Sequence, residues 1–365
     1  MKTWDVIIVG GGIIGLSLAI SLRKQRLRVL VVERGEPGRE ASYAAAGMLA
    51  PGGETPAALR NLARESARLY PEFVDELQDE SGIKVDFREH GTIFLSTTAE
   101  PLEGSEILSP DKLHSLEPTL AQKPIVAGRA QAAFVSERSV DPRLLVAAAI
   151  KAAKHRGVDI SSGSAVEEML VSGEKVAGVK TKRTSYLAGA VVNCAGAWAG
   201  TFSHYAFPVY PVKGQMLAVV EGPSVQHVVR SEKVYVVPRS DGRLVIGSTL
   251  ENDGYNKQID PSTIQRLFRA AVELLPGLEK SRQHDVWAGL RPGTPDHLPI
   301  LGEAPARGYF VATGHYRDGI LLAPITANLL TDVVLGRTPN CEITNFSIVR
   351  FGRGMTDPSF RSRAS

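Results

Sequence analysis

The stretch from Asp5 to Leu22, DVIIVGGGIIGLSLAISL, carries no charge after its first residue. It approaches the roughly 20 apolar residues that a membrane-spanning helix needs. Its glycines point elsewhere. Gly10, Gly11, Gly12 and Gly15 separate a β-branched run, Val6 to Val9, from a helix-forming run, Leu16 to Leu22, so the hydrophobic period changes inside the segment. That pattern is a strand, a tight turn and a helix, and it commits the N-terminal part of the chain to an α/β arrangement.

The next apolar run, RVLVVE, reads as a second strand parallel to the first, and Glu33 at its end follows Gly15 by 18 residues. Gly10-x-Gly12-x-x-Gly15 between strand and helix, answered by that acid, is the dinucleotide-binding fingerprint. The first glycine permits the turn, the second lets the backbone approach a pyrophosphate, and the third lets the helix pack on the strand. The helix N-terminus offers N–H groups and a positive dipole to the phosphates, and Glu33 is expected to take a ribose hydroxyl.

With 365 residues the chain exceeds one ordinary core, and two domains are expected. A hydrophobic fraction of 43% and a charged fraction of 22% are those of a globular protein. The net charge of +3 is not gathered into Lys/Arg runs or basic-aromatic interleaving, which argues against nucleic acid as a partner. Cys194 and Cys341 are too isolated for a disulfide framework or a zinc site, so no metal is expected and a cytoplasmic location is. Cys194, within AVVNCAGAWAG, reads as a small buried hydrophobe. No secretion signal is read before the first strand, and no membrane span is expected.

Beyond residue 55 the text alternates between helical and β-rich segments. Thr55 to Glu80 is helical in period, and Asp141 to Gly157 opens on an acidic N-cap candidate and closes on glycine. Val85 to Ser96, Pro211 to Gly222 and Lys233 to Thr249 look like antiparallel strands, the last a hairpin around Ser-Asp-Gly. A helix is expected near Ile264 to Leu275, and the segment from Gly308 to Gly336 supplies a final strand, glycine turn and helix. A nicotinamide enzyme would continue the simple βα alternation; the β-rich insertions favour a flavin.

Together the opening fingerprint, SYAAAGMLAP (Ser42 to Pro51), VVNCAGAWAG, PVKGQ, WAGLRPGTPD and GHYRDGILLAP resemble the glycine oxidase branch of the D-amino acid oxidase superfamily, from about Trp4 to Phe351. The resemblance implies an α/β fold: a doubly wound, Rossmann-like FAD-binding domain with an inserted antiparallel β-sheet substrate domain. Residues 1–82, 138–205 and 283–345 are assigned to the first, 83–137 and 206–282 to the second, and 346–365 to a C-terminal tail with a mobile end. It further implies that Ile13, Ile14, Glu33, Arg34, Ser42, Ala46, Gly47 and Met48 contact FAD, with Val166 near the adenine. Ala195 and Gly196 fit a second close approach. The segment His315, Tyr316, Arg317, Asp318, Gly319, Ile320 and Leu321 falls where the last helix of the family points its N-terminus at the flavin pyrimidine ring, favouring the reduced state.

By the same resemblance Arg291 clamps the substrate carboxylate, a task that suits a planar, permanently charged fork. Tyr235 places its hydroxyl near that carboxylate, and the main chain of Arg317 lies near the substrate amine. Alternation puts Lys233, Tyr235 and Val237 on one strand face. Lys233 stands where the glycine oxidase pattern has histidine, and Leu250 where it has methionine, so the exact substrate stays open. Gly289 stands where the sarcosine oxidase branch carries its flavin-linked cysteine, so FAD is expected to be noncovalent. The implied reaction is hydride transfer from the Cα of glycine, sarcosine or a small D-amino acid to flavin, then imine hydrolysis and reoxidation by oxygen to hydrogen peroxide. The resemblance also implies a supply to thiamine biosynthesis and a tetrameric homo-oligomer. Two alternatives are a dehydrogenase of the same fold that passes electrons to a quinone, and a noncatalytic FAD-binding protein.

Overall fold

The computed structural model describes residues 3–52, 55–96, 104–120, 131–202, 205 and 207–352. β1 (Trp4–Val9) turns through Gly10 to Gly12 into α1 (Ile13–Lys24), and β2 (Val29–Val32) returns parallel to β1, with Val6 beside Val29 and Val9 beside Val32. Both strands are continuous apolar runs because both faces of the sheet are covered. A short α2 (Ala41–Ala44) and β3 (Met48–Leu49) precede the long amphipathic α3 (Ala57–Ser81), which ends on Gly82 in the left-handed region, φ 64°.

β4 (Phe87–Arg88), β5 (Thr92–Ser96), β6 (Glu106–Ile107), α4 (Pro110–Leu116), β7 (Gln131–Val135) and β8 (Arg138–Val140) follow. α5 (Pro142–His155) starts at Asp141, whose carboxylate accepts from the amides of Arg143 and Leu144, as the acidic N-cap predicted. β9 (Asp159–Ser161), β10 (Val166–Ser172), β11 (Lys175–Thr181) and β12 (Ser185–Asn193) bring the chain back beside β1. Next come β13 (Tyr210–Val220), β14 (Val228–Arg230), and the expected hairpin of β15 (Tyr235–Pro238) and β16 (Leu244–Gly247). α6 (Pro261–Leu274), β17 (Arg282–Gly293), β18 (Ile300–Glu303), β19 (Tyr309–Thr313) and α7 (Ala323–Val334) complete the order.

The first large sheet runs β10-β11-β12-β1-β2-β9, with β19 beside β12 and β18 beside β19. One face is covered by α1, α3, α5 and α7; the other is covered by apolar side chains of β10 and β11 and by Phe202, Phe207 and Ile348 rather than by helices. The second sheet runs β17-β13-β16-β15-β14-β5-β7-β6 and is antiparallel except where β14 lies parallel to β5. β3, β8 and β4 form a third, small sheet.

Two expectations shift. β17 pairs with β13 from Arg282 to Gly293, so its segment is part of the second sheet although it was assigned with the FAD-binding portion. The start of the expected tail is docked: Phe346 and Ile348 are buried, and Arg350 pairs with Asp296 (2.7 Å) and donates to the Leu298 carbonyl. The rest of the tail, 353–365, lies outside the described residues. Among the described residues no helix is long and apolar enough to cross a membrane, and no group of three potential metal ligands occurs.

Candidate active site

A cavity of about 820 Å³ runs from the Gly10 turn to the face of the second sheet. All the sequence-selected site residues except Gly15 and Leu321 line it. Gly15 packs α1 on the turn, its Cα so close that a Cβ would lie 2.1 Å from the Gly10 carbonyl. Gly10 itself has φ 111°, and a Cβ there would strike the Cys194 carbonyl at 2.4 Å.

Glu33 is buried. Its Oε2 accepts from the Gly11 amide (2.8 Å) and its Oε1 from the Gly35 amide (2.9 Å), and each oxygen retains capacity for a further donor. Ser42 Oγ accepts from the Ile13 amide at 3.0 Å, tying α2 to the start of α1. The Arg34 guanidinium lies 3.5 Å over the Trp198 ring, which stacks on Tyr255, whose hydroxyl donates to the Ala197 carbonyl. Trp198 and Tyr255 were not singled out from sequence, since nothing in their local pattern marks them. Val166 and the turn at Ala195 and Gly196 complete this end; Gly196 accepts from Thr313 Oγ1 at 3.0 Å.

Two backbone arches flank the middle of the cavity and share one construction. In the first, the Ala44 carbonyl accepts from Trp287 Nε1 (3.1 Å), the Ala46 carbonyl from Arg239 Nη2 (2.5 Å) and the Gly47 carbonyl from the Val140 amide (2.9 Å). In the second, the Ile320 carbonyl accepts from the Tyr70 hydroxyl (2.9 Å) and the Leu321 carbonyl from Ser66 Oγ (2.6 Å). The amides of Ala45, Ala46 and Gly47, and of Gly319, Ile320 and Leu321, donate to no acceptor among the described residues. Amides that line a cavity and meet no acceptor among the described residues are open to a ligand's acceptors, so these arches suit a flat, acceptor-rich ring system. That fits FAD. α7 begins at Ala323 with Leu322 as its N-cap, after the segment expected to carry the helix N-terminus, so these amides come from the preceding turn.

His315 is buried and its Nε2 meets Thr326 Oγ1 at 3.1 Å; burial holds its imidazole down at about 3, neutral through the physiological range. Tyr316 adopts φ 48°, donates its amide to Pro292 and stacks on His297 at 4.6 Å. The Arg317 side chain turns over the Tyr316 ring. Cys194 lies in the cavity wall with its thiol pushed up by burial, so it is no thiolate.

At the other end, the second sheet presents a row of side chains. Register places Arg230, Tyr235, Gly247, Met216 and Trp287 opposite one another across β14, β15, β16, β13 and β17. The Tyr235 ring lies across Gly247, where a Cβ would meet its hydroxyl at 2.7 Å. The Arg291 guanidinium lies flat on Gly214, where a Cβ would meet Nη1 at 2.2 Å. Its Nη2 donates to Ser248 Oγ (2.7 Å) and its Nη1 to the Thr249 carbonyl (3.2 Å). Arg291 meets no carboxylate among the described residues, although it lines the cavity.

Alternation along β13 explains the PVKGQ motif. Gly214 faces the cavity while Lys213 and Gln215 face away and secure the strip that holds Arg291. Buried Lys213 pairs with Glu251 (3.6 Å) and Asp253 (3.3 Å), Gln215 donates to Glu251 (2.9 Å), and Thr249 donates to the same carboxylate. Burial opposes ionisation of Glu251, but these donors and Lys213 together hold it below the usual carboxylate range. Lys233 precedes β15 in a turn closed by Ser231 and lies exposed at the cavity mouth with Leu250, rather than on the strand face with Tyr235 and Val237.

Residues 5–333 match the family described as FAD dependent oxidoreductase (DAO). The chain is 35% identical to a glycine oxidase of Pseudomonas aeruginosa, over 92% of this chain and 95% of that protein. It is 35% identical to a bifunctional protein ThiO/ThiG of Trichormus variabilis over its whole length, but spans only 58% of that protein. In three dimensions it matches the crystal structure of glycine oxidase from Geobacillus kaustophilus with a TM-score of 0.89 and 34% identity, covering 96% of this chain and 99% of the other. A fingerprint turn, two amide-presenting arches and an arginine that meets no carboxylate among the described residues thus share one cavity in a chain that belongs to the DAO family of FAD-dependent oxidoreductases.

Proposed function

We propose that this protein oxidises glycine, and other small amino acids such as sarcosine or D-alanine, with noncovalent FAD and molecular oxygen. The observation that carries this reading is Arg291: a cation fixed by Gly214, Ser248 and Thr249, facing the cavity, with no carboxylate among the described residues to neutralise it. A partly buried guanidinium so held is a receptor for a planar carboxylate from outside. The Tyr235 hydroxyl, next to it across Gly247, supplies the second donor, and the main chain of the Tyr316–Arg317 turn takes the amine.

Bound FAD supplies the two-electron acceptor and the route to oxygen. The protein's part is orientation. Arg291 and Tyr235 fix the carboxylate, so that a small substrate has its Cα hydrogen directed along the cavity toward the arches. Glu33 holds the ribose, and the turn at Gly10, Gly12 and Ile13 faces the pyrophosphate. Neutral His315 supports the second arch and transfers no proton. Net, glycine, oxygen and water give glyoxylate, ammonia and hydrogen peroxide. The two cysteines are free, as in a reducing cytoplasm, where such an activity could feed a thiamine pathway as the ThiO name suggests.

Anaerobic addition of glycine to the purified yellow protein tests this. Bleaching, followed by recovery of the oxidised spectrum and peroxide release on admission of air, is the expected result. Failure to bleach with glycine, sarcosine and D-alanine alike overturns the substrate assignment, and bleaching with slow recovery in air overturns the oxidase assignment.

A further inference from the structure

Arg239 belongs to neither the cofactor fingerprint nor the substrate clamp, yet it is one of the most enclosed charges in the molecule, 5% exposed. It sits at the turn of the β15–β16 hairpin, behind the first arch and outside the cavity lining. Its Nη2 donates to the Ala46 carbonyl at 2.5 Å, and its Nε lies 3.7 Å from the Asp141 carboxylate, which pairs more closely, at 2.8 Å, with Arg243. Nη1 has no acceptor among the described residues. The charge of Arg239 is therefore only partly neutralised. Burial pulls its pKa down to about 10 against the opposing effect of Asp141, so it remains a cation at neutral pH.

The Ala46 carbonyl and the Gly47 amide belong to one peptide unit. In a planar trans peptide C=O and N–H point in opposite directions, so a cation on the Ala46 oxygen lies behind the unit while the Gly47 N–H points to the cavity side. That N–H donates to no acceptor among the described residues, and Gly47 lines the cavity. A hydrogen bond to one end of an amide polarises the other end. The second arch provides the contrast, because neutral hydroxyls of Tyr70 and Ser66 back it.

We propose that Arg239 is a positioning residue that acts through the Ala46–Gly47 peptide: it orients this amide toward the bound cofactor and increases its positive character, thereby stabilising negative charge on the cofactor. This rests on the proposed FAD occupancy of the cavity.

The test uses the holoenzyme and sulfite, an anion that adds reversibly to electron-poor flavins and bleaches them, together with the flavin midpoint potential. Arg239→Gln, which keeps an N–H donor without the charge, is expected to bind sulfite about tenfold more weakly and to show a lower potential. Arg239→Lys, whose ammonium reaches less far, is expected at about a threefold loss. Arg243→Met removes the neighbouring partner of Asp141 without touching Ala46 and is expected to stay within about twofold of the parent. Unchanged sulfite affinity in Arg239→Lys and Arg239→Gln overturns the proposal, as does an equal loss in Arg243→Met. If Arg239→Gln does not fold, Arg239→Lys against Arg243→Met decides alone. A parent protein that takes up no FAD overturns the proposed function instead.

Discussion

The two ends of the cavity are built from different materials. The end proposed to hold the cofactor is mainly backbone: the Gly10 turn, the Ala44–Gly47 arch and the Gly319–Leu321 turn offer amides, with the Ala44, Ala46, Ile320 and Leu321 carbonyls tied down behind them. The end proposed for the substrate is side chain: Arg291 and Tyr235 lie flat on two Cβ-less positions of neighbouring strands, Gly214 and Gly247. Backbone donors cannot be removed by trimming a side chain, so mutation reaches that end where a Cβ intrudes, as at Gly10, or through the side chains behind it, such as Glu33 and Arg239. The side-chain end is expected to come apart one group at a time with the cofactor retained.

The sharpest way to break that contrast is at Gly10. Gly10→Ala forces a Cβ against the Cys194 carbonyl at a φ of 111°, and complete loss of the yellow holoprotein is expected, read from the visible absorbance of the purified chain. Arg291→Ala is expected to keep FAD and its spectrum while kcat/KM for glycine falls about 10²- to 10³-fold, the cost of an unanswered substrate carboxylate. Loss of FAD in that variant would assign Arg291 to the wrong end.

Gly214→Ala separates position from presence. The guanidinium survives but is lifted off β13, and a loss of about tenfold in kcat/KM with FAD retained is expected. The double variant with Arg291→Ala should cost little more than Arg291→Ala alone. Tyr235→Phe removes one hydrogen bond to a charged group, for which up to about tenfold in KM is expected in steady-state kinetics.

The smallest effect belongs to His315 at the cofactor end. Its folded-state pKa, about 3, lies below the ordinary value of 6.5. Above pH 6.5 both folded and unfolded chains are neutral at this site. Below it the unfolded chain takes a proton that the folded chain refuses, so stability falls as the pH drops from about 6.5 toward 3, by at most about 1.4 kcal/mol per pH unit. In His315→Gln that slope is expected to shrink, as read from Tm against pH, while the pH profile of glycine oxidation is set by other groups.

Much of the glycine turn and of the helix caps was legible because their chemistry is local. A turn that needs φ near 111° at Gly10 demands glycine in the sequence, and an N-cap such as Asp141 announces α5 from its own side chain. The long-range parts were not legible. Arg239 meets Ala46 across 193 residues and Tyr70 meets Ile320 across 250, and neither leaves a periodic trace. PVKGQ was visible as a motif, but its division of labour, Gly214 under Arg291 and Lys213 with Gln215 behind, depends on the pairing of β13 with β17 and the Thr249–Glu251 strip. Lys233 was displaced from its expected strand face because the Ser231 turn delays the start of β15.

By itself the sequence determined the βαβ turn, the helix caps, the β15–β16 hairpin and the residue types able to hold a nucleotide and a carboxylate, since each depends on backbone preferences or functional groups within a few residues. Long-range packing alone set β17 into the second sheet, turned the carbonyls of the arches away from the cavity and left Arg291 without a carboxylate among the described residues. Those outcomes depend on which distant groups exclude water and take up each other's hydrogen bonds, and a buried donor or charge acquires its meaning from its surroundings rather than from its neighbours in the chain.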